Sequence, residues 1–235
     1  NIYKGQVENV LPGMQAAFVD IGYDINAFLP FSEIENSAYL ADVDEVESRP
    51  SKTNKNGQQR NRKSFRDNIS VDLKTGQDIH VQVIKEAFAG KGPRVTTEIA
   101  LPGRLLVLVP NADYIGISKK IWDKYERRRL KKVVSILKEK GMGVIVRTVA
   151  EGKSEELIKN DFNILIQNWK KLQTKSDRAK ETALVYEDLE TASSVVRDLF
   201  TPEISKIVID SKKLYRKLQG YLEEVSPNMA GRLEH

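Results

Sequence analysis

Arg147 and Thr148 follow an apolar run, Gly143 to Val146, and their types suit phosphate recognition. A guanidinium is a planar fork that matches two phosphate oxygens at once, and a threonine hydroxyl adds another donor. The plain alternative is an arginine at a strand end facing water. Phe18 and Phe28 lie in two short apolar segments. On the outer face of a sheet they would be stacking platforms, worth about 1–3 kcal/mol per base and insensitive to sequence. Among apolar neighbours, however, composition alone favours burial in a core. Lys91 stands between Gly90 and Gly92, where backbone without side chains lets a strand of nucleic acid come close. Its alternative is an ordinary hairpin lysine.

Other chemistries are excluded by what is missing. The chain has no cysteine, which removes disulfides, iron–sulfur clusters, thiolate zinc and cysteine nucleophiles. Only His80 and His235 are histidines, so a Ser/His/Asp site could use His80 alone, and the alternation of His80 to Ile84 puts His80 on the wet face of a strand. Asp210, after Ile207-Val208-Ile209, is a lone strand-end carboxylate. No catalytic residue and no metal ligand set is expected. Trp122 and Trp169 read as helix packing rather than stacking platforms.

The net charge of +5 points to a polyanion, but its distribution matters more than its size. Between Arg49 and Arg66 seven basic residues occur with no acid, leaving −2 for everything else. That segment, rich in Ser, Asn, Gln and Gly, has too few apolar residues to offset its ordering entropy, and a disordered basic insertion near 41–70 is expected. It reads as a solvated surface loop that adds some sequence-independent attraction for phosphate. The run Arg127-Arg128-Arg129 with Lys131-Lys132 reads as the solvated face of a helix, the alternative being a border on a nucleic-acid path.

The elements that position these residues follow from periodicity and turn signals. Residues 2–11, 16–21, 27–29, 78–86 and 94–99 read as five short strands broken at Pro12-Gly13, Gly22, the basic insertion and Gly90 to Pro93, a pattern suited to a closed barrel of the OB type. Leu105 to Val109 and Gly143 to Val146 read as buried strands. Between them a helix carries Ile121, Tyr125, Leu130, Val133, Val134, Ile136 and Leu137, stopping before Gly141. A second helix, capped by Ser154, carries Leu157, Ile158, Phe162, Leu165, Ile166, Trp169 and Leu172, and residues 174–182 read as a linker. Helix, strand and helix follow at 189–199, 206–210 and 214–225. At 40% hydrophobic content the chain can bury a core, and no apolar stretch nears the roughly 18–20 residues of a membrane span. The chain begins at Asn1 without a signal peptide, and Leu233-Glu234-His235 reads as a tag remnant, so an excised fragment is expected.

Three passages together resemble the bacterial RNase E/G family of endoribonucleases. They are Asn1 to Gly5 with Pro12 to Gly22 and Ala27 to Pro30; Lys91-Gly92, Thr96-Thr97, Leu101 to Arg104 and Leu106 to Pro110; and Gly141 to Thr148. The resemblance implies an α+β chain: an OB-type barrel of the S-one RNA-binding type at 1–98, an α+β 5′-sensor region at 99–182, part of an RNase H-like α/β subdomain at 183–232, and the tag at 233–235. It implies that Phe18, Phe28 and Lys91 contact RNA. It also implies that Gly103, Val107, Arg147 and Thr148 hold a 5′-monophosphate, backbone donors and an apolar wall at Gly103 and Val107 seating the terminal nucleotide. A triphosphate would be rejected by size.

The function implied is the RNA-binding, 5′-monophosphate-sensing portion of a cytoplasmic, metal-dependent endoribonuclease that cleaves single-stranded RNA in rRNA processing and mRNA decay. Magnesium would serve the full-length parent, held in a catalytic domain lying outside this chain, and the fragment would be inactive alone. The parent would be a homo-oligomer and the fragment a monomer. The second reading is a non-catalytic single-stranded RNA-binding adaptor with no discrimination between 5′ ends.

Overall fold

A computed structural model describes residues 1–34, 43–44, 73–187, 194–196, 204–225 and 227–235. The first unit is a barrel built on β1 (Ile2–Leu11), β2 (Ala16–Asp20), β3 (Ala27–Pro30), β5 (Asp78–Lys85) and β6 (Arg94–Thr96). The pairing runs β1-β2-β3-β6-β5 and closes by β5 returning to β1, the expected OB arrangement. Closure depends on one long strand: Ile2 to Gln6 pairs with β5, and Gln6 to Leu11 pairs with β2. Gly5 lies where these pairings hand over. A Cβ there would come within 2.7 Å of the Asp20 carbonyl oxygen and of the Val19 side chain, so only glycine lets β1 cross so closely. Val19, Ala27, Leu29, Val81 and Val95 fill the interior.

The second unit is a sheet ordered β4-β9-β10-β8-β7, from β4 (Val43–Asp44), β7 (Leu101–Pro102), β8 (Leu106–Pro110), β9 (Ile115–Ser118) and β10 (Met142–Val146). Two helices, α1 (Lys124–Leu137) and α2 (Glu155–Arg178), supply much of its core. Leu106, Leu108, Val144 and Val146 pack with Leu130, Val134, Ile158, Phe162 and Leu165 in one buried cluster. Each helix starts on a capping side chain: Asp123 accepts from the Tyr125 N–H at 2.9 Å, and Ser154 accepts from the Leu157 N–H. Because α1 begins after Asp123, Ile121 is buried ahead of the helix, while Tyr125 is turned outward and exposed.

The expected linker at 174–182 is largely helix. α2 continues to Arg178, with Lys175 and Arg178 in the last turn where cations favour the helix dipole. Ser176 is buried, and its hydroxyl lies 2.5 Å from the His80 Nε2, so His80 faces α2 rather than solvent. After α2 the chain returns to the barrel: β11 (Ala183–Tyr186) pairs antiparallel with Ile2 to Lys4 of β1.

The C-terminal residues form a small cluster with α3 (Lys212–Val225), α4 (Pro227–Ala230), β12 (Ile207–Val208) and β13 (Leu233–Glu234). Leu233 and Glu234, read from the sequence as a tag remnant, pair parallel with β12, and Leu233 is buried. Of the helix expected at 189–199, residues 194–196 are helical and the rest lies outside the described residues. The insertion near 41–70 also lies outside them except for Val43–Asp44, which pairs with β9. Among the described residues no helix is long and apolar enough to cross a membrane.

Burial, reinforced by the Lys4 charge, holds the His80 imidazole below its ordinary range, against the opposing pull of Asp177 and Asp78. The folded chain therefore takes up a proton here less readily than the unfolded chain. The stability is fully present above the ordinary histidine value of 6.5 and is lost as pH falls below it towards the folded value. Melting at about pH 7.5 and about pH 5.5, which bracket that range, should lower the wild-type midpoint more than that of His80→Gln. Equal drops in the two proteins would show that His80 does not couple folding to pH.

Candidate nucleic-acid interface

Phe18 and Phe28 alternate with the inward-facing Val19, Ala27 and Leu29, so both point out of the barrel and are partly exposed. They are direct cross-strand neighbours, with ring centroids 5.9 Å apart at an interplanar angle of 58°. The core reading of the two rings therefore does not hold. Arg94, paired in register with Phe28, sends its guanidinium to Glu33 at 2.8 Å. Lys91 is exposed in a tight hairpin closed by reciprocal bonds with Phe88, the Lys91 N–H donating to the Phe88 carbonyl at 3.0 Å. Phe88, which the sequence reading passed over, is 83% exposed beside it.

The second group of residues converges at the ends of three strands. β8 pairs with β10 so that Val107 lies opposite Ile145, and with β7 so that it lies opposite Pro102. Leu106 and Leu108 point to the core shared with the helices, which puts Val107 on the opposite face, against Ile145 and Val109. Arg147 leaves β10, and its Nη1 donates to the Gly103 carbonyl at 2.8 Å. Its backbone N–H donates to the Leu105 carbonyl at 2.9 Å. Thr148 opens a short 3-10 turn, and its hydroxyl lies 2.8 Å from that of Ser118 at the end of β9. Gly103, Val107, Arg147 and Thr148 are thus brought to one end of the sheet.

What holds them is a residue the sequence reading missed. Asp161, on the buried face of α2, accepts the backbone N–H of Arg104 at 3.1 Å and those of Leu105 and Leu106 at 2.9 Å each. Burial pushes its carboxyl above the usual aspartate range, and these three donors and the Arg147 charge oppose that shift. A Cβ at Gly103 would sit 2.6 Å from Asp161 Oδ2, so a side chain there would drive the turn away from the carboxylate. A visible signal existed: Asp161 falls at helical spacing within the apolar series Ile158, Phe162, Leu165 and Ile166. A carboxylate in such a stripe calls for buried donors.

The turn's amides are committed inside the protein, since the Gly103 N–H also donates, to the Leu106 carbonyl at 2.8 Å. Gly103 contributes a carbonyl that aims Arg147. A bound phosphate would draw on the Arg147 guanidinium and the Thr148 hydroxyl rather than on these amides. Of the basic run on α1, Arg129 is structural. It holds Glu126 through two bonds of 2.7 Å, and Glu126 also accepts the Gly152 N–H at 2.8 Å. The Arg129 bond keeps the Glu126 carboxyl below its usual range. Trp169 is buried as expected of a packing residue, whereas Trp122 is 86% exposed and packs on nothing comparable. Among the described residues no cluster of three or more His, Cys, Asp or Glu could hold a metal ion.

Comparison with known proteins matches residues 1–97 to the S1 RNA binding domain and residues 100–235 to the Ribonuclease E/G family. Ribonuclease G of Escherichia coli strain K12 is 40% identical over 236 residues, covering 100% of this chain and 45% of that protein. Ribonuclease G of Haemophilus influenzae is 36% identical, covering 99% of this chain and 44% of the relative. Ribonuclease E of Nostoc sp. PCC 7120 is 34% identical, covering 96% and 30%. The chain spans less than half the length of each of these relatives.

Removing Asp161 leaves the buried N–H groups of Leu105 and Leu106, and the half-buried one of Arg104, without an acceptor, at about 1–3 kcal/mol for each buried unsatisfied donor. Asp161→Ala should therefore lower the unfolding free energy by about 3 kcal/mol or more in urea titration, and Gly103→Ala should lower it in the same direction. An unchanged urea midpoint in Asp161→Ala would remove the carboxylate from its assigned role.

Proposed function

This chain belongs to the ribonuclease E/G family and carries an S1 RNA binding domain, and on that premise we propose that it is the RNA-binding, 5′-monophosphate-sensing portion of a cytoplasmic endoribonuclease. The observation that supports this most directly is the placement of Arg147, whose guanidinium is aimed by the Gly103 carbonyl beside Thr148 and close to the apolar Val107. A terminal monophosphate offers several oxygens to a planar fork, whereas an internal phosphodiester has fewer free oxygens to accept it. The barrel supplies affinity without regard to sequence: Phe18 and Phe28 offer aromatic faces to bases, and Lys91 adds a cation on an exposed hairpin.

In this reading the parent hydrolyses single-stranded RNA in rRNA processing and mRNA decay and assembles as a homo-oligomer. The described residues include no cluster of three or more His, Cys, Asp or Glu that could hold a metal ion. The proposal therefore places the metal and the hydrolytic step in a part of the parent beyond this chain, and assigns these residues to holding the substrate. The chain should accordingly bind RNA without cutting it when magnesium is supplied.

The test is fluorescence-anisotropy binding of one short single-stranded RNA carrying either a 5′-monophosphate or a 5′-hydroxyl. Charge-assisted bonds worth about 1.5–3 kcal/mol should make the monophosphate bind about 10- to 100-fold more tightly, and Arg147→Ala should erase that difference. Phe18→Ala and Phe28→Ala should weaken both RNAs alike, by about 1–3 kcal/mol for each base that loses its stacking partner. Equal binding of the two RNAs by the wild-type chain would leave a barrel that binds RNA without reading its end, the adaptor reading.

A further inference from the structure

A cleft of about 840 Å³ opens between the end of β9 and the start of α1. Ile117 and Ile121 form an apolar floor, both buried. Lys119, Lys124, Arg127, Arg128 and Lys131 line it, with no acid among the described lining residues, and Trp122 stands at its side with 86% of its surface exposed. Of the acids nearest in sequence, Asp123 caps α1 and Glu126 is held by Arg129, while Asp44 of β4 pairs in register with Ile117 at the edge of the floor. The wall is braced, because Arg127 Nη1 donates to the Ser118 carbonyl at 2.9 Å and to that of Ile121 at 3.2 Å.

We propose that this cleft is a second RNA-binding surface, taking single-stranded RNA with its phosphates on Lys124 and Arg128 and a base stacked on Trp122. An exposed indole with water on nearly all sides gains nothing from the fold, and RNA supplies both the flat aromatic and the anionic groups that this lining complements. Its location favours the same occupant. Ser118, whose hydroxyl meets that of Thr148, directly precedes Lys119 of the cleft, so the surface adjoins the Arg147–Thr148 turn at the end of the same sheet. The surface is distinct from the barrel face and does not require that Arg147 read a terminal phosphate.

The test uses 5′-hydroxyl oligouridylate, so that terminal-phosphate recognition plays no part, with the whole chain. The chain has two tryptophans, and Trp169 is 5% exposed, so quenching of the emission by bound RNA reports Trp122. Quenching is expected in the wild type and lost in Trp122→Phe. Trp122→Ala should weaken binding by about fivefold to a hundredfold, the loss of one stacked base. Lys124→Glu with Arg128→Glu should lower the slope of log affinity against log salt by about 1.4, for two phosphate contacts on a single strand. These side chains are exposed, so the variants should retain the wild-type melting midpoint. The proposal is overturned if Trp122 emission is unaffected and both variants bind RNA as the wild type does. It is equally overturned if the charge reversal weakens only binding of a polyglutamate peptide, which would make the cleft a site for an acidic protein segment.

Discussion

The Asp161 carboxylate is the interaction on which the Arg147–Thr148 end of this sheet depends. A lone carboxylate in the apolar face of α2 would be costly to bury, yet three backbone amides and the nearby Arg147 charge surround it. The amides gain as much as the acid does, for the turn from Gly103 to Leu106 would otherwise bury donors with no acceptor. The result ties a helix, a turn and a strand end together. With Asp161 holding the turn, the Gly103 carbonyl is fixed, and with that carbonyl fixed Arg147 has one direction in which to point. The Gly103 backbone must lie against the carboxylate, and only the absence of a Cβ permits it.

The barrel and the sheet behind it are not independent beads, because β1 serves both. Tyr3 belongs to the barrel interior, whereas Ile2 is counted in the core that α1 and α2 build over the second sheet. β11 returns after α2 to pair with Ile2 to Lys4, and the Lys4 ammonium donates to the Ala179 carbonyl at 2.9 Å while meeting Asp78 at 3.2 Å. His80 against Ser176 adds a further tie across the same junction. Packing does not change where the barrel strands end, since Ile2, Ile99 and Leu101 share one buried cluster. A strand bound at one end by β5 and at the other by β2 can be fully satisfied only if something covers its remaining edge, and β11 does so.

How much of this the sequence disclosed follows from which interactions are local. The barrel strands were legible because alternation and glycine corners are written within a few residues, and the two long helices because their apolar stripes and caps are. The outward direction of Phe18 and Phe28 follows from the same alternation once Val19 and Leu29 are fixed inside, though composition alone pointed the other way. Strands of two to four residues, such as β7, β9 and β11, carry too short a pattern to stand out, and they exist because a neighbouring strand offers its edge. Tyr125 was misplaced because Asp123 starts the helix later than the apolar series implied. His80 was misplaced because α2 covers the wet face of its strand, and Asp161 was missed because its donors lie more than fifty residues earlier in the chain.

The proposed division of labour follows from magnitudes. One arginine with a hydroxyl beside it adds about 1.5–3 kcal/mol for a charged terminal group, which changes preference by one or two orders of magnitude but cannot alone hold a nucleic acid at useful concentration. In that proposal affinity comes from surfaces that accept any sequence, as stacking on the Phe18–Phe28 pair would at about 1–3 kcal/mol per base. The two kinds of contact respond differently to solvent. Stacking changes little with salt, while exposed cations such as Lys91 lose much of their attraction as ionic strength rises. Arg147 lies between these cases, since it is half-buried, aimed by a carbonyl and set near the Asp161 charge. The carboxylate behind such a cation would weaken its attraction for anions in general, so that in the proposed reading a ligand presenting several oxygens in the direction of the fork is the one that recovers the cost of leaving water. In the proposed reading, discrimination between RNA ends would rest on one restrained arginine, and it would require the restraint as much as the charge.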